Sequence, residues 1–193
     1  MRIVIVDDSG LRATVLEEGL REAGYDDIHV VPPQSGFVAR LERMAPDVVL
    51  MDLGSPSRDT LEEMLAVSRA LARPIAMFVD QSDEAMIGAA IDAGVSAYVV
   101  DGLRKERVKP IIDLAIRRFN AFARMQTELD EAKTALAERK AIDRAKAILM
   151  NSKNLTEAEA YALLRTTAMN QNRRIFEVAE ALITASELLG GSR

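Results

Sequence analysis

Through the first 120 residues, short and nearly continuous apolar runs alternate with longer stretches whose apolar positions follow a helical period. The runs are Ile3-Val4-Ile5-Val6, Ile28-His29-Val30-Val31, Val48-Val49-Leu50-Met51, Ile75–Val79 and Ala97–Val100. Their continuity, in place of strict alternation, predicts strands buried on both faces, as in a parallel sheet sandwiched by helices. The intervening amphipathic stretches at residues 11–23, 37–44, 61–71 and 85–93 are ended by Gly24, Pro46, Pro74 and Gly94. Pro and Gly stop helices at such positions. The pattern therefore predicts an α/β fold with a doubly wound, five-stranded parallel sheet.

Beyond Lys109-Pro110 the pattern changes. Residues 111–150 hold neither Pro nor Gly and are rich in helix formers, which predicts one long helix. Phe122, Met125, Leu129, Ala132 and Leu136 follow 3-4 spacing until Arg139 and Asp143 break it, a short coiled-coil seam suited to a homodimer. The competing reading is that this stripe packs on its own chain. Ile142, Ala145, Ile148 and Leu149 then form the apolar stripe of the first of three helices, followed by a loop at residues 151–155. Thr156-Glu157-Ala158-Glu159 has the capping-box pattern and opens a second helix through Met169. Asn170 to Asn172 makes a turn before a third stripe, Ile175, Val178, Ala179, Leu182 and Ile183, ended by Gly190-Gly191. The expected organisation is a first domain over residues 1–118, a linker helix over 119–138 and an all-α three-helix unit over 139–193.

Composition narrows the chemistry. There is no cysteine and a single histidine, His29, so thiolate sites, disulfides and His-His metal pairs are excluded, and metal chemistry must rest on carboxylates. No stretch reads as a membrane span or a signal peptide, which predicts a cytoplasmic protein. The net charge of −5 is an average over a lopsided chain. Residues 1–120 carry −6 and residues 121–193 carry +1, while residues 139–174 hold 8 basic against 3 acidic side chains. The overall acidity thus conceals a basic window.

In a parallel α/β sheet, ligands gather at the carboxyl ends of the strands, where Asp7-Asp8 close the first run and Asp52 closes the third. Three converging carboxylates repel one another unless a hard cation such as Mg2+ joins them, and Asp52 could then accept a phosphoryl group. The competing reading is that such acids are helix caps or solvated loop residues, with Asp8 before Ser9 a candidate cap of the first helix, and taken singly each acid is weak evidence.

Together, Val6-Asp7-Asp8, Val48-Val49-Leu50-Met51-Asp52 with Pro56, and Ala93-Gly94-Val95-Ser96-Ala97-Tyr98 resemble the receiver domain of bacterial response regulators. The resemblance implies Asp52 as the phosphorylation site, Asp7, Asp8 and Asp52 as ligands of Mg2+, and a sensor kinase as a partner. Two positions depart from it. Val79 stands where the family has a Thr or Ser donor to the phosphoryl group, and Asp101-Gly102 stands where it has Lys-Pro. Lys105 is a poorly placed substitute for the missing cation. Both departures suggest a domain switched less by phosphorylation than by a protein partner.

In the basic window, Arg144, Lys146, Lys153, Arg165, Arg173 and Arg174 can meet RNA phosphates. A solvated polar face is the ordinary fate of such residues. Tyr161 and Phe176 are expected in the core rather than as stacking platforms. Ala145-Lys146-Ala147-Ile148-Leu149-Met150, Leu155 to Tyr161, Leu163-Leu164-Arg165, Ala168-Met169 and Asn172-Arg173-Arg174 resemble the ANTAR domain of transcription antitermination regulators. The whole arrangement, with Phe78-Val79-Asp80-Gln81-Ser82-Asp83 and Tyr98-Val99-Val100-Asp101-Gly102-Leu103, resembles NasT-type nitrate/nitrite response regulators, so the two departures look like subfamily features. That resemblance implies binding of paired stem-loops in a leader RNA, which prevents a terminator hairpin from forming. It also implies a nitrate-sensing protein partner and no catalysis. Two other readings stay open on the residues alone: a DNA-binding response regulator with a helical output domain, and a magnesium-dependent phosphatase built on Asp7, Asp8 and Asp52.

Overall fold

The computed structural model describes residues 1–7, 10–33, 37–54, 58–101 and 103–190. They form β1 (Ile3–Asp7), α1 (Leu11–Glu22), β2 (Ile28–Val31), α2 (Phe37–Met44), β3 (Val48–Gly54), α3 (Arg58–Ala70), β4 (Ile75–Val79), α4 (Glu84–Asp92), β5 (Ala97–Val100), α5 (Lys105–Lys153), α6 (Glu157–Asn170) and α7 (Ile175–Gly190). The chain divides into two compact units, residues 1–123 and 124–193.

In the first unit the five strands pair in parallel in the order β2-β1-β3-β4-β5. Side chains alternate across the sheet. Val4, Val6, Val49, Met51 and Met77 point to one face, where Phe37 and Leu41 of α2 and Met64 of α3 cover them. Ile3, Ile5, Val48, Leu50 and Phe78 point to the other, against Leu16 and Leu20 of α1 and Val108 and Ile112 of α5. Burial on both faces holds for β1 and β4, but not for every run. β2 and β5 are the sheet's edges, and His29, Val30 and Val100 are exposed there. An edge strand has a partner on one side only, and its apolar sequence gives no sign of that position.

Several boundaries differ from the sequence expectation, among them the start of α3 at Arg58, three residues before the expected 61. β3 continues past Asp52 to Gly54, with a register irregularity between those residues, so Asp52 lies within the strand and not at its end. Helix α5 begins at Lys105 and takes Pro110 inside it. Because the helix starts only five residues earlier, that proline removes one backbone hydrogen bond, to the Glu106 carbonyl, and the helix survives it.

Helices α1 and α5 approach closely at Gly19. A Cβ there would sit 2.8 Å from the Lys105 carbonyl oxygen and 2.9 Å from Val108 Cγ2. Backbone cannot yield as a flexible side chain does, so Gly19→Ala should destabilise the first unit by about 1–3 kcal/mol despite alanine's better helix propensity. A thermal melt of the variant beside the wild type checks this.

In the second unit, Ala145, Leu149, Ala160, Leu164, Ala168, Val178 and Ala179 form a small core among the end of α5, α6 and α7. The expected loop is shorter at its start, since α5 runs on through Lys153. The capping box forms as expected: Glu159 accepts hydrogen bonds from the Thr156 backbone N–H and hydroxyl, both at 2.8 Å. Those bonds, the backbone one foremost, hold the Glu159 carboxyl below its ordinary value. Among the described residues no helix is long and apolar enough to cross a membrane.

Candidate functional site

At the carboxyl edge of the sheet, β1 and β3 pair Asp7 directly with Asp52, and both side chains are buried. The chain's connections leave in opposite directions from these two strands, which makes a crevice at the switch in strand order. Asp8 and Pro56, also expected here, lie outside the described residues, as does Gly102. Asp7 caps α1, its Oδ2 accepting hydrogen bonds from the backbone N–H groups of Gly10 at 2.8 Å and Ala13 at 3.1 Å.

Asp52 is paired with Arg12, in the first turn of α1. Arg12 Nε donates to Asp52 Oδ2 at 2.8 Å, and Arg12 Nη2 lies 2.7 Å from Asp52 Oδ1. The same guanidinium reaches Asp80, just beyond β4, through Nη1. Burial alone would lower the pKa of Arg12, but the hydrogen bonds to Asp52 and Asp80 outweigh it and the net shift is upward. Arg12 stays charged at any relevant pH. Val79 is buried and offers the crevice no donor. Lys105 is bonded to Glu22 of α1 at 2.9 Å and does not serve as the substitute cation near Asp52.

Aligned Asp7 and Asp52 are suitable donors for a hard cation by chemistry alone. With the Arg12 guanidinium within 2.8 Å of both Asp52 oxygens, the described residues do not fit one. A metal bound to Asp52 would sit within a few ångström of the guanidinium, and like unit charges at 4 Å repel by about 4 kcal/mol near a protein surface, more for a divalent ion.

In the second unit, three of the six expected RNA contacts meet. Arg165 of α6 and Arg173 and Arg174 of the α6–α7 turn line one groove of about 590 Å³. Ile142, Ala168, Met169, Ile175 and Phe176 supply its apolar surface. The turn works because Asn172 takes a left-handed backbone (φ 51°), which Asn tolerates better than most residues. Arg174 also pairs with Glu138 at 2.6 Å, and Arg173 with Glu177 at 3.5 Å.

The other three lie apart from this groove. Arg144 is at a separate depression with Lys140 and pairs with Glu187 at 2.7 Å. Lys146 is held at 2.7 Å by both Asp143 and Glu157, which raise its pKa in that order of effect. Lys153 ends α5. Of the two aromatics expected in the core, Tyr161 is exposed on α6, and Phe176 is half-buried at the groove.

The response regulator receiver domain matches residues 3–113, more than half of the chain, and the ANTAR domain matches residues 130–183. The chain is an ANTAR response regulator. Among its relatives, the transcriptional regulatory protein PdtaR of Mycobacterium tuberculosis is 29% identical over 182 residues, covering 94% of this chain and 89% of that protein. The nitrate regulatory protein of Klebsiella oxytoca is 35% identical over 80 residues, which are 42% of this chain and 20% of that protein. The signal receiver domain of a modulated diguanylate cyclase from Desulfovibrio desulfuricans G20 shares the fold of the first unit. Its TM-score is 0.53 at 22% identity, over 62% of this chain and 95% of that one.

The sequence reading of this ANTAR response regulator missed Arg12 altogether. A signal existed, since Arg12 lies five residues after Asp7 in the first turn of the helix that follows β1, close to the strand ends. Met169, named there only as part of the ANTAR resemblance, was given no role, although it is a large apolar residue left 70% exposed beside the arginines.

Proposed function

We propose that this ANTAR response regulator binds stem-loop RNA in a leader transcript and acts by antitermination. Protein bound to one RNA fold favours it by mass action over the competing terminator hairpin. The observation that carries this reading is the groove in which Arg165, Arg173 and Arg174 stand around apolar and aromatic surface. Cations for phosphates beside apolar surface for an unstacked base are what single-stranded RNA loops require. Arg144, Lys146 and Lys153 contribute long-range attraction in this reading. The first two are held by carboxylates, as Arg173 and Arg174 also are, but they lie apart from the apolar groove, which lowers their share.

The active species is a homodimer joined through Phe122, Met125, Leu129, Ala132 and Leu136, which would let it hold two hairpins at once. Asp52 is the phosphoryl acceptor of the receiver, and a protein partner that senses nitrate is the dominant input. That assignment rests on the likeness to nitrate regulators and on Arg12 covering Asp52. The site of action is the cytoplasm, where transcripts are made.

Affinity for a two-hairpin leader RNA, measured across salt concentrations with duplex DNA as competitor, tests the reading. Arg165→Ala and Arg174→Ala should each weaken binding by roughly tenfold and lower the salt slope by about one, as loss of a phosphate contact does. Duplex DNA that displaces the RNA would instead favour the DNA-binding alternative. Stoichiometric labelling of Asp52 by a small phosphodonor, with a matching change in RNA affinity, would overturn the dominance of the protein partner.

A further inference from the structure

We propose that Arg12 is the resident cation of the Asp52 pocket, and that a divalent cation enters only when Arg12 withdraws from the carboxylate. This role rests on the reading of Asp52 as the receiver's phosphoryl acceptor. Three observations converge on it. Arg12 meets both oxygens of Asp52, with a hydrogen bond from Nε to Oδ2 at 2.8 Å and a charge contact of 2.7 Å from Nη2 to Oδ1, and a hydrogen bond between two ionised groups is stronger than a neutral one. Asp52 itself is almost wholly buried, so its charge requires a partner, and Arg12 supplies one from within the chain. Asp80 holds the far side of the same guanidinium from the end of β4, where Val79 contributes no polar group. One arginine thus ties α1, β3 and the end of β4 together at the crevice.

The arrangement has a directional consequence. Asp80 anchors Arg12 over Asp52, so losing Asp80 frees the guanidinium to leave. On charge alone, removing an acid near the crevice would weaken binding of a divalent cation. The two effects oppose each other, and their sign separates an anchoring role from a general electrostatic one. Arg12→Lys makes a second separation, because it keeps the positive charge and loses the planar group that reaches both Asp52 oxygens and Asp80 together.

Calorimetric titration of the full chain with Mg2+ reads this directly. Arg12→Met should bind Mg2+ about tenfold more tightly than the wild type, and Arg12→Lys should recover most of that gain. Asp80→Ala should also bind more tightly, by roughly threefold, although it deletes a negative charge. Asp52→Asn in the Arg12→Met background should remove the gain and so locate the ion. Equal Mg2+ affinity in wild type and Arg12→Met would overturn the proposal. So would wild-type behaviour of Arg12→Lys, or weaker binding by Asp80→Ala. Asp80 is about half exposed, so Asp80→Ala keeps the test decisive even where an Arg12 variant folds poorly. RNA takes no part in the titration, so its failure leaves the RNA-binding reading intact, and failure of RNA binding leaves the titration interpretable.

Discussion

Leu129→Glu should convert a dimer into a monomer and lower affinity for a two-hairpin RNA by roughly 100-fold or more, while affinity for a single hairpin stays nearly constant. Phe122, Met125, Leu129 and Leu136 are each about half to two-thirds exposed on α5, at the 3-4 spacing of a coiled-coil seam. So regular an apolar stripe open to water is best satisfied by a second copy of itself. A glutamate at its centre places two like charges in the seam, and glutamate's high helix propensity leaves the helix intact. Arg165, Arg173 and Arg174 are untouched, which is why each subunit should keep its own hairpin affinity. What is lost is the effective concentration that makes the second hairpin's binding intramolecular. Sedimentation of wild type and variant, paired with titrations of one-hairpin and two-hairpin RNAs, measures both halves. A wild type that sediments as a monomer would assign the stripe to its own chain.

The sheet was legible because both of its faces are covered, so its central strands could be written only in apolar residues. The order of strands is not written in any run. His29 and Val30 look as strand-like as Val48 and Val49, and their exposure follows only from β2 lying at the edge. Asp7 and Asp52 could be read as one site because residues at adjacent strand ends share an edge of the sheet. Arg12 could not, since a single arginine on an amphipathic helix looks like any solvated cation. Its meeting with Asp52, 40 residues away, arises from the pairing of β1 with β3. The basic window was legible as charge, but not as geometry. The α6–α7 turn gathers Arg165, Arg173 and Arg174, while Asp143 and Glu157 capture Lys146. Opposite charges a few residues apart compete for the same cation, and a charge count weighs both as though they were free.

Leu164→Ala should destabilise the second unit by about 2–5 kcal/mol, whereas Leu163→Ala, one residue earlier, should change it by about 1 kcal/mol at most. Leu164 is 2% exposed and Leu163 is 37% exposed, so the pair separates burial from composition on the same helix turn. The fully buried part of the core around Leu164 is rich in alanines, namely Ala145, Ala160, Ala168 and Ala179, with Leu149 and Val178, and the partly buried Ile142, Leu155, Ile175, Leu182 and Ile183 pack against it. Alanine side chains have no rotamers with which to close a cavity, so any collapse must come from the surrounding leucines and isoleucines, and its extent sets where in that range the loss falls. Small domains have total stabilities of about 5–15 kcal/mol, and a unit with so few large buried side chains belongs near the lower end. Leu164→Ala therefore leaves a substantial fraction of the second unit unfolded at physiological temperature. RNA affinity should fall with that fraction, while the sheet of the first unit keeps its own melting transition. Thermal melts followed by circular dichroism, with RNA titrations at two temperatures, separate this loss from a lost contact. Arg174→Ala should weaken binding equally at both temperatures, and Leu164→Ala much more at the higher one. Equal losses for Leu163 and Leu164 would mean that α6 presents a different face to the core than the one formed by Ala160, Leu164 and Ala168.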